Sequence, residues 1–470
     1  MRKKFSSIDT EGMLSIKKIN REKSLLFIDD SAGREAIVPI FDLLKILNEQ
    51  GCLKDNGFFG YDTFQSVFTW RYASEKMRSV FSVLYERIEI PGRIWVAVAK
   101  VQSKHGIIST AQYEDIRDTI NGIINSPESL DVLLRSLELE KEFDHDVIAT
   151  KEAFAELCKI GGGVIHHGLT SMDNVNNTEA IILAEALAII ELKIRKLLSI
   201  LVRRMDENIG LVCMGWTHLA AAEPIPFPYR LAQYAYDLFD DLKSLNSLKI
   251  KGKGFKGAVG TSASYKEMLE GKGITAQQFE KEVLEELDLD AFKITNQTIR
   301  RKQDLKVLQL LSNISQSIYR MARDIRLLSA SFLMEVSEPS KPKQKGSSAM
   351  AHKLPNPIKT EKSCSLALIP FVLEQIAWLN ASLPMLERTL DDSANRRIFM
   401  PEAFLAIDKI LDTMIRVLDG LVINEAMINA NLEKFGVFSA TESLLTEMVN
   451  KGINRQEMHD IINEVCKEAW

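Results

Sequence analysis

The sequence is poor in the residues that cross-link chains or hold metals. Its five cysteines, Cys52, Cys158, Cys213, Cys364 and Cys466, are odd in number, far apart and free of any CxxC pair. That excludes a disulfide framework and a cysteine zinc site, and points to a reducing cytoplasm. There is no HExxH and no convincing HxH, so no metal is expected. Neither GxGxxG nor GxxxxGK(S/T) occurs, which leaves GAVGT at 257–261 as only a tight turn. Charge of one sign is missing too. The 59 Lys and Arg stand against 64 Asp and Glu, a net −5 with interspersed signs, which gives no broad field for nucleic acid. No uninterrupted apolar run reaches the roughly 18 residues of a membrane span, and the start MRKKFSSIDTEG has no apolar signal core. A cytoplasmic protein with neither membrane nor nucleic-acid partners is the expectation.

Proline is scarce and unevenly placed. Only 13 occur in 470 residues, and from Ile274 to Glu338 there is neither Pro nor Gly. Pro339, Pro342, Pro355 and Pro357 then crowd together. A long breaker-free segment therefore ends in a breaker-rich loop. Within 304–335, Leu305, Leu308, Leu311, Ile314, Ile318, Met321 and Ile325 recur at spacings of three and four, one face of a helix. Such a helix would be roughly 50 Å long. Residues 178–205, 229–249 and 361–382 read as further long helices, the last with Pro370 inside. Wide apolar arcs on four rods predict an all-α chain whose rods bundle across subunits.

The rest is less regular. Residues 1–60 read as an N-terminal extension of unknown role, with a short hairpin and a helix. Residues 61–170 read as a helical domain with breaks at Pro91–Gly92 and Gly161–Gly163. The central long-helix domain takes 171–420, and short helices fill 421–470.

Three constellations could carry chemistry. The loop SEPSKPKQKGSSAMAHKLPNPIKTEKS suits a lid over an anionic ligand, with Lys341, Lys343, Lys345, Lys353, Ser347, Ser348 and Asn356; the alternative is a solvated linker. Histidines in polar, breaker-flanked settings, in DHDV, IHHGLTS and GWTHLA, suit acid–base work. ERTLDDSANRR (387–397) groups three arginines with a serine; guanidinium forks bind phosphate or carboxylate, and the alternative is a surface ion-pair cluster. WRYAS at 70–74 adds Arg71 and Tyr72.

GSSAMAHKLPNPIKTE (346–361) resembles the signature loop of the fumarase/aspartase superfamily, usually GSSxMPxKxNP. HHGLTSMDN, GWTHLAAAEP, KGAVGTSAS and RYASEKM follow in that superfamily's order. ERTLDDSANRR and the NPIKTEKSCSLA continuation are similar to its adenylosuccinate lyase branch. The resemblance implies a homotetramer with a twenty-helix core, active sites built from three subunits and no cofactor. It implies β-elimination of fumarate from a succinyl-amine: succinyl-adenylate to AMP, and the succinylated aminoimidazole carboxamide ribotide to its amide. By motif position Ser347 would be the general base, supported by Lys353. His218 would protonate the leaving nitrogen, and His145 would support it or the phosphate. Thr170, Ser171, Thr217, Gln297, Lys353 and Asn356 would hold the succinyl and base portions, with Asp146 among the binding residues. Arg71, Tyr72, Arg388, Ser393 and Arg397 would clamp the phosphate.

The chain departs from the pattern where substrate is expected. Ala351 replaces the loop proline, KLPNP has one residue more than KxNP, Asp144 replaces an Arg before HDV, and Ala220 replaces a polar residue. The chain also carries about 60 additional residues in front and stops short of the family's C-terminal helices. Two further readings follow: a related lyase acting on another succinylated amine, and a non-catalytic binding paralogue.

Overall fold

A computed structural model describes residues 64–352 and 356–469, together with the backbone of three strands near the N-terminus. Those strands, Ser15–Asn20, Leu25–Asp29 and Glu35–Pro39, form an antiparallel sheet in sequence order. The hairpin expected within 1–60 is thus part of a three-stranded sheet. The helix expected there, and Lys353, lie outside the described residues.

The described chain is 67% helical, which places it in the all-α class. Five long helices dominate it: Ser171–Glu207, Phe227–Ser247, Lys302–Leu328, Ile358–Ser382 and Ser393–Asp419. They are called the first to fifth rods below. The seven residues of the 304–335 stripe are all buried, Leu308 to Met321 completely so. The third rod nevertheless ends earlier than its periodicity suggested. Met334 takes a left-handed φ of 54°, and the Glu335 N–H folds back to donate to the Leu328 carbonyl at 2.9 Å. That turn sends the Glu335 carboxylate inward, where Arg230 (3.1 Å) and Asn431 (3.2 Å) satisfy it. A buried charge with partners outweighs another turn of helix. The fifth rod was not separated from its neighbours by sequence; Pro401 lies inside it.

The chain divides into two compact units. One takes Met1–Ala186, Lys249–Asp304 and Trp378–Arg397; the other takes Leu187–Leu248, Leu305–Ala377 and Ile398–Trp470. The first unit has two apolar clusters. One packs Trp95 edge-on to Phe154 at 5.7 Å among Ile88, Ile116 and Ile120. The other gathers Ile94, Phe255, Tyr265 and Phe279. Capping boxes at Ser109/Gln112 and Thr275/Gln278 start two of its helices. The break expected at Pro91–Gly92 is instead a change of winding. A π-helical turn, Tyr85–Glu89, runs directly into the helix Ile90–Lys104, where Pro91 occupies the first turn. A missing N–H costs little there.

In the second unit Lys193 of the first rod bridges Asp408 and Asp412 of the fifth, at 2.5 and 2.9 Å. Between the first two rods the chain forms a β-hairpin, Val212–Thr217 with Ala220–Pro226. Past the fifth rod come Glu425–Phe435, a 3-10 turn Gly436–Ala440, Thr441–Asn450 and Arg455–Ala469. These match the short helices expected after Gly420.

Candidate active site

Most of the expected binding residues fall in the first unit. His145 is the N-cap of the helix Asp146–Ala155, its Nδ1 accepting the Ile148 N–H at 3.4 Å. In the neutral ring that leaves the proton on Nε2, which faces Ser171 Oγ at 3.5 Å, the long end of a hydrogen bond. Ser171 opens the first rod. Asp146 Oδ1 accepts the Val147 N–H at 2.8 Å, and its Oδ2 pairs with Arg397 at 2.8 Å. His145, Asp146, Ser171 and Arg397 therefore form one connected group. Thr170 adjoins it, its N–H donating to Asp173 Oδ2 at 3.2 Å.

ERTLDDSANRR is neither a free arginine cluster nor a surface one. Asp392 is fully buried and accepts from Arg388 at 2.8 Å and from Arg301. Arg396 is buried and forks onto Asp304 at 2.7 and 3.1 Å, with Glu179 at 2.7 Å. Burial alone would raise the Asp304 carboxyl, but the Arg396 and Arg301 guanidiniums hold it below the usual carboxylate range. Only Arg397 of the three points out, 61% exposed. Ser393 begins the fifth rod, its N–H donating to the Leu390 carbonyl at 3.0 Å. The Gln297 N–H donates to the Glu387 carbonyl at 3.3 Å, which sets Gln297 beside Arg388. Arg71 lies over the Tyr72 ring at 5.9 Å, just past the short helix Val67–Trp70.

The second unit carries the expected acid and base. Thr217 and Ala220 pair at the end of the hairpin, with His218 and Leu219 as its two-residue turn. Both turn residues have positive φ, 54° and 63°, the type I′ pattern normally taken by Asn-Gly. At the register shift between Met214 and Trp216, Gly215 passes so close to Glu223 that a Cβ would lie 2.6 Å from its carbonyl oxygen. In the proline-rich loop, Ser347 Oγ accepts the N–H groups of Ala349 (3.2 Å) and Met350 (3.0 Å). Asn356 Nδ2 donates across the loop to the Gly346 carbonyl at 2.8 Å.

The sequence reading missed a buried centre at Asp173. Its carboxylate accepts from Lys253 Nζ, Tyr265 Oη (2.9 Å), and the N–H groups of Lys256 and Gly257 (3.2 Å each to Oδ1). Asp173, Lys253 and Tyr265 are completely buried. Burial pushes the Lys253 ammonium below its ordinary pKa, against the opposing pull of Asp173. One carboxylate thus folds KGKGFKGAVGTS against the start of the first rod, with Gly257 at φ 74°. The signal was the density of lysine and glycine in that segment. Among the described residues no group of three His, Cys, Asp or Glu is placed to hold a metal ion.

Comparison with known proteins places the chain in a family. A family model described as lyase matches residues 69–368. The adenylosuccinate lyase of Schistosoma mansoni is 34% identical over 87% of this chain and 84% of its own length. That of Saccharomyces cerevisiae is also 34% identical with the same coverage, and that of Pyrococcus horikoshii is 33% identical over 85% of this chain and 86% of its own. In fold the chain is similar to a fumarate lyase from Mesorhizobium sp. BNC1, with TM-score 0.73, 22% identity, and 87% and 88% of the two chains covered. It is equally similar to β-carboxy-cis,cis-muconate cycloisomerase from Acinetobacter calcoaceticus sp. ADP1, with TM-score 0.73, 20% identity, and 86% and 88% covered. The family match over residues 69–368 defines a lyase. The chain belongs to the adenylosuccinate lyase family.

Proposed function

We propose that the protein releases fumarate by β-elimination from a succinylated nucleotide, succinyl-adenylate to AMP and the succinylated aminoimidazole carboxamide ribotide to its amide. The observation that carries this is identity of about one third to adenylosuccinate lyases across 87% of the chain. The site residues are carried by motif position and supported by local geometry. A base must take the proton from the carbon beside a carboxylate; the electron pair left behind spreads into that carboxylate and then expels the nitrogen. A serine hydroxyl can do this only if its alkoxide is stabilised. Two backbone N–H groups aimed at Ser347 Oγ supply that stabilisation, and Lys353 is assigned the remaining share. His218 gives the leaving nitrogen its proton. His145 is assigned to support His218 or the phosphate, Asp146 to substrate binding, and Thr170, Ser171, Thr217, Gln297 and Asn356 to the succinyl and base portions. Arg71, Tyr72, Arg388, Ser393 and Arg397 are assigned to the phosphate. Arg388 and Arg397 already hold Asp392 and Asp146, so an incoming phosphate shares or displaces these carboxylates. A homotetramer in the cytoplasm completes the reading.

The test is fumarate release from succinyl-adenylate. The native chain turns over, and Ser347→Ala loses roughly 10²–10⁴-fold in kcat at unchanged oligomeric mass. A near-normal rate in Ser347→Ala would remove the proposed base. Asp144, exposed at the left-handed C-cap of the helix Glu128–Phe143, favours a second reading, a different succinylated amine. No turnover of succinyl-adenylate with AMP binding retained would select it.

A further inference from the structure

We propose that the C-terminal segment from Asn431 to Ser439 is a positioning element for His218, with Phe435 its principal contact. This rests on the reading of His218 as the proton donor. The turn that carries His218 is poorly held by its own strands. The returning strand begins Ala220, Ala221, Ala222, three side chains too small to brace a tip. The turn pair His218–Leu219 lies in the left-handed region without Asn or Gly, a conformation that persists only where the surroundings enforce it.

That enforcement comes from the C-terminal segment. Trp216, two residues before His218, meets the Phe435 ring edge-on at 5.2 Å. The Trp216 indole N–H is buried without an acceptor among the described residues, so packing holds the ring rather than a hydrogen bond. On the other strand, Ser439 Oγ donates to the Ala222 carbonyl at 3.1 Å. Deeper in the unit, Asn431 donates to Glu335, Glu335 pairs with Arg230, and Arg230 donates to the Met214 carbonyl of the hairpin at 2.6 Å. The helix Glu425–Phe435 and the turn Gly436–Ala440 thus grip both strands of the hairpin and its base. None of these residues is placed to touch substrate in the proposed reaction, so their effect on catalysis runs through His218.

The test compares native protein with Phe435→Ala, Phe435→Leu and Ser439→Ala. Each is measured for kcat, KM and the pH profile of kcat on succinyl-adenylate, and for amide exchange of residues 212–226. Phe435→Ala is expected to lower kcat about 10- to 100-fold, the scale of a displaced catalytic group. KM should stay within about twofold, and exchange should accelerate in 212–226 but not in Lys302–Leu328. The alkaline limb of the kcat profile should shift. Phe435→Leu should recover part of the loss, and Ser439→Ala should show a smaller change of the same kind. If Phe435→Ala does not fold, Ser439→Ala decides alone. Unchanged exchange in 212–226, or faster exchange with unchanged kcat, overturns the proposal. His218→Gln is the control for the underlying reading. If it keeps near-native kcat, the acid assignment fails, and it fails separately from the grip on the hairpin, which the exchange data report directly.

Discussion

His166 and His145 sit in similar polar sequence settings and part company in the fold. His145 is at a helix start beside Ser171, half-open to a ligand. His166 is packed against Trp95, whose indole donates to its Nδ1 at 3.0 Å. Burial pushes the His166 pKa down to about 4, with Asp173 opposing. The folded protein therefore resists a proton that the unfolded chain accepts near 6.5. Its stability contribution is complete above pH 6.5 and is lost as pH falls toward 4, by at most about 3 kcal/mol. His166→Asn, which tolerates the left-handed backbone at φ 72° and keeps an acceptor for Trp95, should flatten that loss. Urea unfolding at pH 7 and pH 5 measures it; an equal acid loss in native and variant protein would exclude His166 as its source. The pair also marks what a sequence can tell about a site. Motif position proposes His145, Ser171, His218 and Ser347 as site residues. It could not reveal that His166 faces a tryptophan 71 positions away, or that Asp392 and Asp304 already occupy Arg388 and Arg396, because those partners meet only through the fold.

At the scale of elements, legibility followed period. The third rod was readable because seven apolar residues repeat on one face, and all seven are buried. The hairpin 212–226 was not, because Gly215 and Ala220–Ala222 break any alternating pattern and His-Leu is not a turn pair that sequence flags. The proline-rich loop reads as a lid or a solvated linker, and its two ends are tied by one carboxylate. Glu338, nearly buried, accepts from the N–H groups of Lys359 (3.1 Å) and Thr360 (2.6 Å) and from Thr360 Oγ1 (2.7 Å). A carboxylate at the loop's entrance thus caps the fourth rod at its exit, satisfying N–H groups that the first turn leaves free. Glu338→Ala should cost about 1–2 kcal/mol of stability. It should also open the loop, so that trypsin cuts faster at Lys341, Lys343 and Lys345. Thermal melting and a timed digest test both parts; unchanged cleavage would show that the loop is held elsewhere.

For the whole molecule, the question is what covers the fourth rod. Leu368, Phe371, Val372 and Leu379 are each 46–57% exposed on it. The same helix averages a hydropathy of 1.4 over its most apolar window, enough by length and composition to cross a membrane, although Glu374 interrupts the run. The core helix of a soluble protein passes the same measure. Two covers are open to it: lipid, or other copies of the chain. The fumarase/aspartase resemblance and the wide apolar arcs on the rods both favour copies. Light scattering without detergent should then give about 212 kDa, four times the 53.0 kDa chain. Replacing Leu368 and Phe371 together by Glu puts unpaired charge on that face and should shift the mass to dimer or monomer. A fall in activity alongside the mass would tie the proposed site to the assembly. A native mass of 53 kDa, or flotation of the native protein with liposomes, would reject shared rods as the cover.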